Sequence, residues 1–235
     1  MILTGERMIL NRMRKETEIE HLCRYQYAKQ FVAGKKVLDA ACGSGYGTKI
    51  LAEDAGEVVG MDISSEAIAY ARNEYMQSNT RYVVGSVEKL PFEDQVFDVI
   101  VSFETIEHVN ETIQNAFLNE IKRVLKEDGI LIMSTPNKKK FTDERGGKLS
   151  KYHVKEFYVE EFRDFLNKQF NYVVLEQQFY AQAACIVDKS TCQAQIDGFK
   201  DEGMYVIAVA SDTALKDIVR NSVIVRCPKE YKKNK

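Results

Sequence analysis

The chain has 235 residues, 45% of them hydrophobic and 29% charged, and a formal net charge of −2. That length supports one sizeable α/β domain with a real core, and the near-neutral charge excludes a general pull toward nucleic acid or anionic membrane. Five scattered cysteines without a Cys-x-x-Cys pair argue against a disulfide framework or a zinc site, and no apolar run approaches a membrane span, so a cytoplasmic protein without a secretion signal is expected.

In chain order, residues 16–31 read as an amphipathic helix whose stripe is Ile19, Leu22, Cys23, Gln26 and Tyr27. Residues 1–34 are therefore expected to form a helical cap over a ligand pocket, with the main domain at 35–235. An apolar strand at 36–39 ends in Asp39 and enters a glycine-rich turn, Ala41-Cys42-Gly43-Ser44-Gly45-Tyr46-Gly47, followed by a helix over 48–54. A second strand at 58–61 is closed by Asp62. Ser64 and Ser65 can cap the next helix, 64–77, and Glu66 suits its positive end.

A short strand at 82–84 follows, and Leu90-Pro91 breaks the chain before a strand at 97–103. Then come a helix over 111–126, a turn at Asp128-Gly129 and a strand at 130–134, after which Pro136 is expected to end pairing. The polar stretch 137–150, with Gly146-Gly147, is long enough to serve as a lid or substrate rim, and the rim as a whole is placed at 137–158. A helix over 159–168 and strands at 172–175 and 205–210 complete the pattern, with an irregular excursion at 181–200 and a basic tail at 226–235. The alternation predicts a Rossmann-like, seven-stranded, mostly parallel sheet with helices on both faces and an antiparallel edge hairpin.

A carboxylate at the end of the first strand, a glycine turn and an acid closing the second strand suit an adenosine-containing cofactor. A dinucleotide needs its pyrophosphate at a helix N-terminus, usually through Gly-x-Gly-x-x-Gly. Here the spacing is Gly-x-Gly-x-Gly, and Asp39 offers an anion to a sulfonium and ammonium instead. With these residues in view, the chain resembles class I S-adenosylmethionine-dependent methyltransferases. Residues 37–45 resemble their first motif, Asp62 their ribose-binding acid, 85–92 their adenine-side loop, 97–104 their fourth strand and 123–131 their passage into the fifth. Two departures stand out: Ala41 replaces a frequent glycine, and Ser86 replaces a frequent adenine-binding acid.

The resemblance implies S-adenosylmethionine as cofactor and S-adenosylhomocysteine as product. It implies cofactor contacts at Arg24, Tyr25, Asp39, Gly43, Gly45, Tyr46, Asp62, Ile63, Ser86, Val87, Phe103 and Glu104, with Arg24 a clamp on the cofactor carboxylate. Gly5-Glu6-Arg7, residues 20–25 and residues 152–157 look like a bacterial subgroup associated with glycosyltransferases, implying O-methylation of a sugar, nucleotide-sugar, glycan or other small hydroxylated acceptor.

An aliphatic hydroxyl needs its proton taken, so His108, at the carboxyl end of the fourth strand, and His153, beside the polar loop, are the candidate catalytic bases, each weighed against a purely structural role. His21 reads as structural or cofactor-adjacent. No metal ligand set and no nucleic-acid or membrane partner is expected; a homodimer stays open. A quinone-like phenol as acceptor and a non-catalytic cofactor-binding subunit are the alternatives, a nicotinamide dehydrogenase the weakest.

Overall fold

A computed structural model describes residues 8, 9, 12, 14–180 and 202–215. The Gly5-Glu6-Arg7 motif, the 181–200 excursion and the 226–235 tail lie outside the described residues. The strands are β1 (Lys36–Ala40), β2 (Glu57–Asp62), β3 (Thr80–Val84), β4 (Phe97–Phe103), β5 (Leu125–Pro136), β6 (Tyr172–Gln178) and β7 (Tyr205–Ser211). They form one sheet in the order β3-β2-β1-β4-β5-β7-β6. The first five are parallel, and β7 pairs antiparallel with both β5 and β6, giving the expected edge pair.

Period-two alternation sorts the core. Leu38, Ala40, Val59, Met61 and Ile100 pack on one face with Phe117, Leu118 and Ile121 of α4 (Glu111–Val124) and Phe162 and Leu166 of α6 (Val159–Asn167). Val37, Val58, Val99, Val101 and Ile132 pack on the other with Tyr25 and Ala28 of α1 (Lys15–Ala28) and Tyr46 and Leu51 of α2 (Tyr46–Ala52). Asp39 shares the face of Val37, which sends its carboxylate under α1 and α2. Among the described residues no helix is long and apolar enough to cross a membrane.

Ser64 caps α3 (Ser65–Tyr75) as expected, its hydroxyl accepting the Ala67 N–H at 3.2 Å. Ser64→Ala is expected to lower unfolding stability by about 1 kcal/mol, read from denaturant midpoints at constant slope. An unchanged midpoint would deny the cap its role.

Four local expectations are corrected. Helix α2 starts at Tyr46 rather than 48, because left-handed Gly45 turns the chain directly into it. Helix α4 stops at Val124 rather than 126, where Leu125 becomes extended and opens β5. Strand β5 is longer than 130–134: its register against β4 jumps from Phe97–Leu125 to Val99–Ile130, so Asp128-Gly129 sits in an irregularity within the strand. Pro136 does not end pairing, since it lies opposite Tyr205 and the Asn137 N–H donates to the Met204 carbonyl at 3.0 Å. The missing proline N–H is harmless because that position of the ladder points away from β7, toward the side where pairing with β4 has already ended at Phe103–Ser134.

The buried face of α1 is also not the apolar stripe. Arg24, Tyr25, Tyr27 and Ala28 are buried, while Ile19, Leu22, Cys23 and Gln26 are only half-buried. The helix is turned so that two polar residues point toward the carboxyl end of the sheet. The 137–150 stretch holds α5 (Lys138–Phe141) and a 3-10 turn at Asp143–Arg145. It leaves and re-enters the domain at one place: Asn137 bridges Phe157, and the Lys138 N–H donates to the Phe157 carbonyl at 2.9 Å.

Candidate functional site

After β1 the chain takes left-handed conformations at Ala41 (φ 65°), Gly43 (φ 56°) and Gly45 (φ 89°). Ala41 thus adopts the geometry that glycine fits more easily. The turn is tied to the end of β2 by Asp62, whose carboxylate accepts the Gly43 N–H at 3.0 Å and the Ser64 N–H at 2.8 Å. A Cβ added at Gly43 would meet nothing within 4 Å, but one at Gly45 would lie 2.5 Å from the Ala71 Cβ and one at Gly47 1.9 Å from the Tyr25 ring. Gly43 therefore faces open space, and Gly45 and Gly47 serve close packing. Ile63 is 71% exposed beside Asp62. Ser86 and Val87, half-buried, follow β3, the neighbour of β2.

On the α1 side, Asp39 is buried and accepts the Thr48 hydroxyl at 2.7 Å and the Tyr25 hydroxyl at 3.2 Å. Burial pushes its carboxyl up to about 7 in spite of these two bonds, and the Asp62 charge adds to the rise. The Tyr25 ring meets Tyr46 edge-on at 5.4 Å and Phe103 at 5.1 Å. His21 pairs through Nδ1 with the Tyr46 hydroxyl at 3.0 Å, and burial, aided by the Arg24 charge, holds its imidazole well below the usual range and therefore neutral. This bond holds the Tyr46 hydroxyl in place.

Arg24 is 1% exposed. One terminal nitrogen donates to Gln178 Oε1 at 2.7 Å, the guanidinium lies 4.6 Å from the Tyr205 ring centroid, and Nε and Nη2 have no hydrogen-bond partner among the described residues. Burial opposes its charge, but the Glu104 carboxylate leads the groups that outweigh burial and hold the guanidinium charged. Gln178, Tyr205 and Glu20 were missed by sequence reasoning. Gln178 also donates to the Glu20 carbonyl at 2.8 Å, and the Tyr205 hydroxyl donates to Glu20 Oε2 at 3.2 Å. No signal singled out Gln178, because the strand it closes already ends in three polar residues, Glu176, Gln177 and Gln178.

A second group of residues gathers past β4. Glu104, left-handed at φ 50°, accepts the Ser134 hydroxyl at 2.7 Å. Glu107 is 1% exposed and accepts from Thr135 at 3.2 Å through Oε2, while Oε1 has no hydrogen-bond partner among the described residues. Burial, then the Glu104 charge, raise its carboxyl well above the usual range. His108 Nδ1 donates to the Tyr152 carbonyl at 3.0 Å, and His153 Nδ1 pairs with Glu156 Oε1 at 2.5 Å. The two imidazoles meet edge-on with centroids 5.1 Å apart. The Glu107 carbonyl accepts the Val154 N–H at 2.7 Å, which pins the 150–157 segment here. The structure thus brings both candidate bases together.

Residues 38–133 match the family model described as a methyltransferase domain. A probable S-adenosylmethionine-dependent methyltransferase of Mycolicibacterium smegmatis is 34% identical over 165 residues, 70% of this chain and 63% of that protein. A ubiquinone biosynthesis O-methyltransferase of Coxiella burnetii is 34% identical over 119 residues, covering 49% of this chain and 50% of the relative. A solved protein of Pyrococcus horikoshii superposes with a TM-score of 0.66 at 22% identity, covering 89% of this chain and 96% of its own. The chain spans 63% and 60% of the length of the first two curated relatives it matches.

Proposed function

We propose that this chain, whose residues 38–133 match the methyltransferase-domain model, is a class I S-adenosylmethionine-dependent methyltransferase that methylates a hydroxyl of a small acceptor, a sugar, nucleotide-sugar or glycan. The observation that carries the cofactor fit is the buried Arg24 with two unpartnered guanidinium nitrogens, on the helix whose Tyr25 reaches Asp39. Nitrogen donors held charged and out of water suit the cofactor's carboxylate. The open side of Gly43 leaves room for a ligand against the turn, Asp62 is the acceptor for the ribose diol, and exposed Ile63 with Val87 and Ser86 suits adenine. Tyr46, Gly45, Phe103 and Glu104 complete the wall.

When bound, S-adenosylmethionine supplies a methyl carbon activated by its sulfonium and leaves as S-adenosylhomocysteine. The chain's own part is to align the acceptor oxygen with that carbon and to take the hydroxyl proton as the carbon–oxygen bond forms. His108 and His153 are the residues proposed for the proton. The carbonyl bond at Nδ1 leaves Nε2 of a neutral His108 as the basic atom. The polar 137–158 segment, pinned beside them, is the proposed acceptor wall. A phenolic acceptor is the second reading, favoured by the 34% identity to the quinone-pathway O-methyltransferase.

Calorimetric titration with S-adenosylmethionine and S-adenosylhomocysteine, followed by a methyl-transfer assay on nucleotide-sugars and catechols, tests the proposal. Micromolar cofactor binding and turnover of a sugar are expected. No binding of either cofactor would overturn it, and turnover of catechols alone would install the second reading.

A proton should also move. Between the ordinary value of 3.8 and about 7, folded Asp39 holds a proton that the unfolded chain has released, so the unliganded protein loses stability as pH rises through that window. A cationic methionine end favours the carboxylate, so binding near neutral pH is expected to release a proton. Titration in buffers of different ionisation enthalpy reads this directly; identical heats in all buffers would show that Asp39 does not titrate on binding.

A further inference from the structure

We propose that Glu107, His108 and His153 form a binding site for a divalent transition-metal cation. One ring nitrogen of each histidine and one Glu107 carboxylate oxygen lie within 4.8 Å of one another. Two imidazoles and a carboxylate are a donor set suited to zinc, cobalt, iron or manganese, with ligand distances of about 2.0–2.2 Å for zinc that these side chains reach by closing inward.

Two independent observations separate this cluster from an accidental gathering. Glu107 Oε1 is buried, without a hydrogen-bond partner among the described residues, and lies 3.7 Å from His108 Nε2, so a carboxyl oxygen is held out of water beside an imidazole nitrogen. A buried carboxyl oxygen left without a partner is costly unless something cationic or protic meets it. Second, each histidine is held from behind in the way that ligating histidines are. A carbonyl can only accept, so His108 Nδ1 carries the proton toward Tyr152, and the Glu156 carboxylate takes the Nδ1–H of His153 at 2.5 Å. Both imidazoles are thereby set in the tautomer that keeps a lone pair on Nε2, and a carboxylate behind one of them raises its basicity. Stacking of Phe141 on His153 at 5.3 Å fixes that ring further.

Three protein ligands leave coordination positions for oxygens from outside the chain. Resting on the acceptor placement proposed above, those positions fall to the acceptor, and two adjacent hydroxyls of a sugar or a catechol are the chemistry that fills them. The cation then lowers the pKa of the hydroxyl that is methylated, whose proton leaves to solvent; with their Nε2 lone pairs on the cation the two histidines act as ligands, in place of the base role proposed above. This departs from the expectation of no metal.

The test is titration of chelator-stripped protein with Co2+, followed by visible absorption, then displacement by Zn2+. One equivalent is expected to bind with ligand-field bands that zinc abolishes. His153→Gln and Glu107→Gln are each expected to weaken binding 10- to 100-fold, with thermal melts confirming that the variants fold. Absence of stoichiometric Co2+ binding by the unaltered protein, or equal binding by a folded variant, overturns the site. If Glu107→Gln does not fold, the wild-type titration and His153→Gln decide. S-adenosylhomocysteine titrated into the same protein keeps the two readings apart: cofactor binding without metal binding removes only this site, and metal binding without cofactor binding removes the methyltransferase reading.

Discussion

Asp62→Ala is expected to weaken S-adenosylhomocysteine binding by on the order of 100-fold or more, because a charge-assisted hydrogen bond contributes roughly 1.5–3 kcal/mol and the carboxylate is proposed to make two with the ribose diol. The same carboxylate already holds the Gly43 and Ser64 N–H groups, so its loss also loosens the glycine turn against β2. Asp62→Asn separates the two effects. An amide can still accept from Ser64, so the turn keeps one tie while the charge is gone. Calorimetry on both variants, with circular dichroism to confirm folding, gives the answer. Wild-type affinity in a folded Asp62→Ala protein would remove Asp62 from the cofactor site.

Gly47→Ala should damage fold and site together. The added Cβ would fall 1.9 Å from Cζ and 2.2 and 2.4 Å from Cε1 and Cε2 of Tyr25, a ring wedged between Tyr46 and Phe103. The ring cannot move aside without withdrawing its hydroxyl from Asp39. Overpacking of this kind costs about 1–3 kcal/mol. A lost bond to a buried carboxylate adds about 1.5–3 kcal/mol. A fall of several kcal/mol in unfolding stability, with cofactor affinity also reduced, is expected from denaturant melts and calorimetry. Unchanged stability would mean that α1 can be displaced freely from α2. Tyr25→Phe is the companion variant: it keeps the ring and loses only the bond, so its smaller effect apportions the two causes.

The sheet was legible because each of its strands carries its own signal. Residues 36–39, 58–61 and 97–103 are short apolar runs ended by acids or turns, and buried parallel strands read that way wherever they lie in a chain. The glycine turn was legible for a related reason: Asp39, Gly43, Gly45 and Asp62 sit within one βαβ unit, where the backbone path fixes their mutual distance. What sequence did not reveal depends on distant meetings. Arg24 finds Gln178 across 154 residues, and nothing in the spacing of either announces the other. The pairing of His108 with His153 depends on the Glu107 carbonyl catching the Val154 N–H, a backbone contact with no residue signature. The apolar stripe of α1 misled because polar side chains, Arg24 and Tyr25, occupy the buried face there, which inverts the usual amphipathic rule. Pro136 misled because a proline interrupts a ladder only where its nitrogen points at a partner.

The neck formed by Asn137, Lys138 and Phe157 has a consequence for how such a protein can change over generations. Because the excursion departs and returns at one hydrogen-bonded neck and its return limb is pinned where the Val154 N–H meets the Glu107 carbonyl, the outer part between residues 144 and 149 has a length nearly independent of the sheet that carries it. Doubling a loop closed in this way costs only about 0.6 kcal/mol of closure entropy. Insertions and replacements between residues 144 and 149 are thereby cheap trials of a new rim beside an unchanged histidine cluster. A lineage can try them without relearning how to fold.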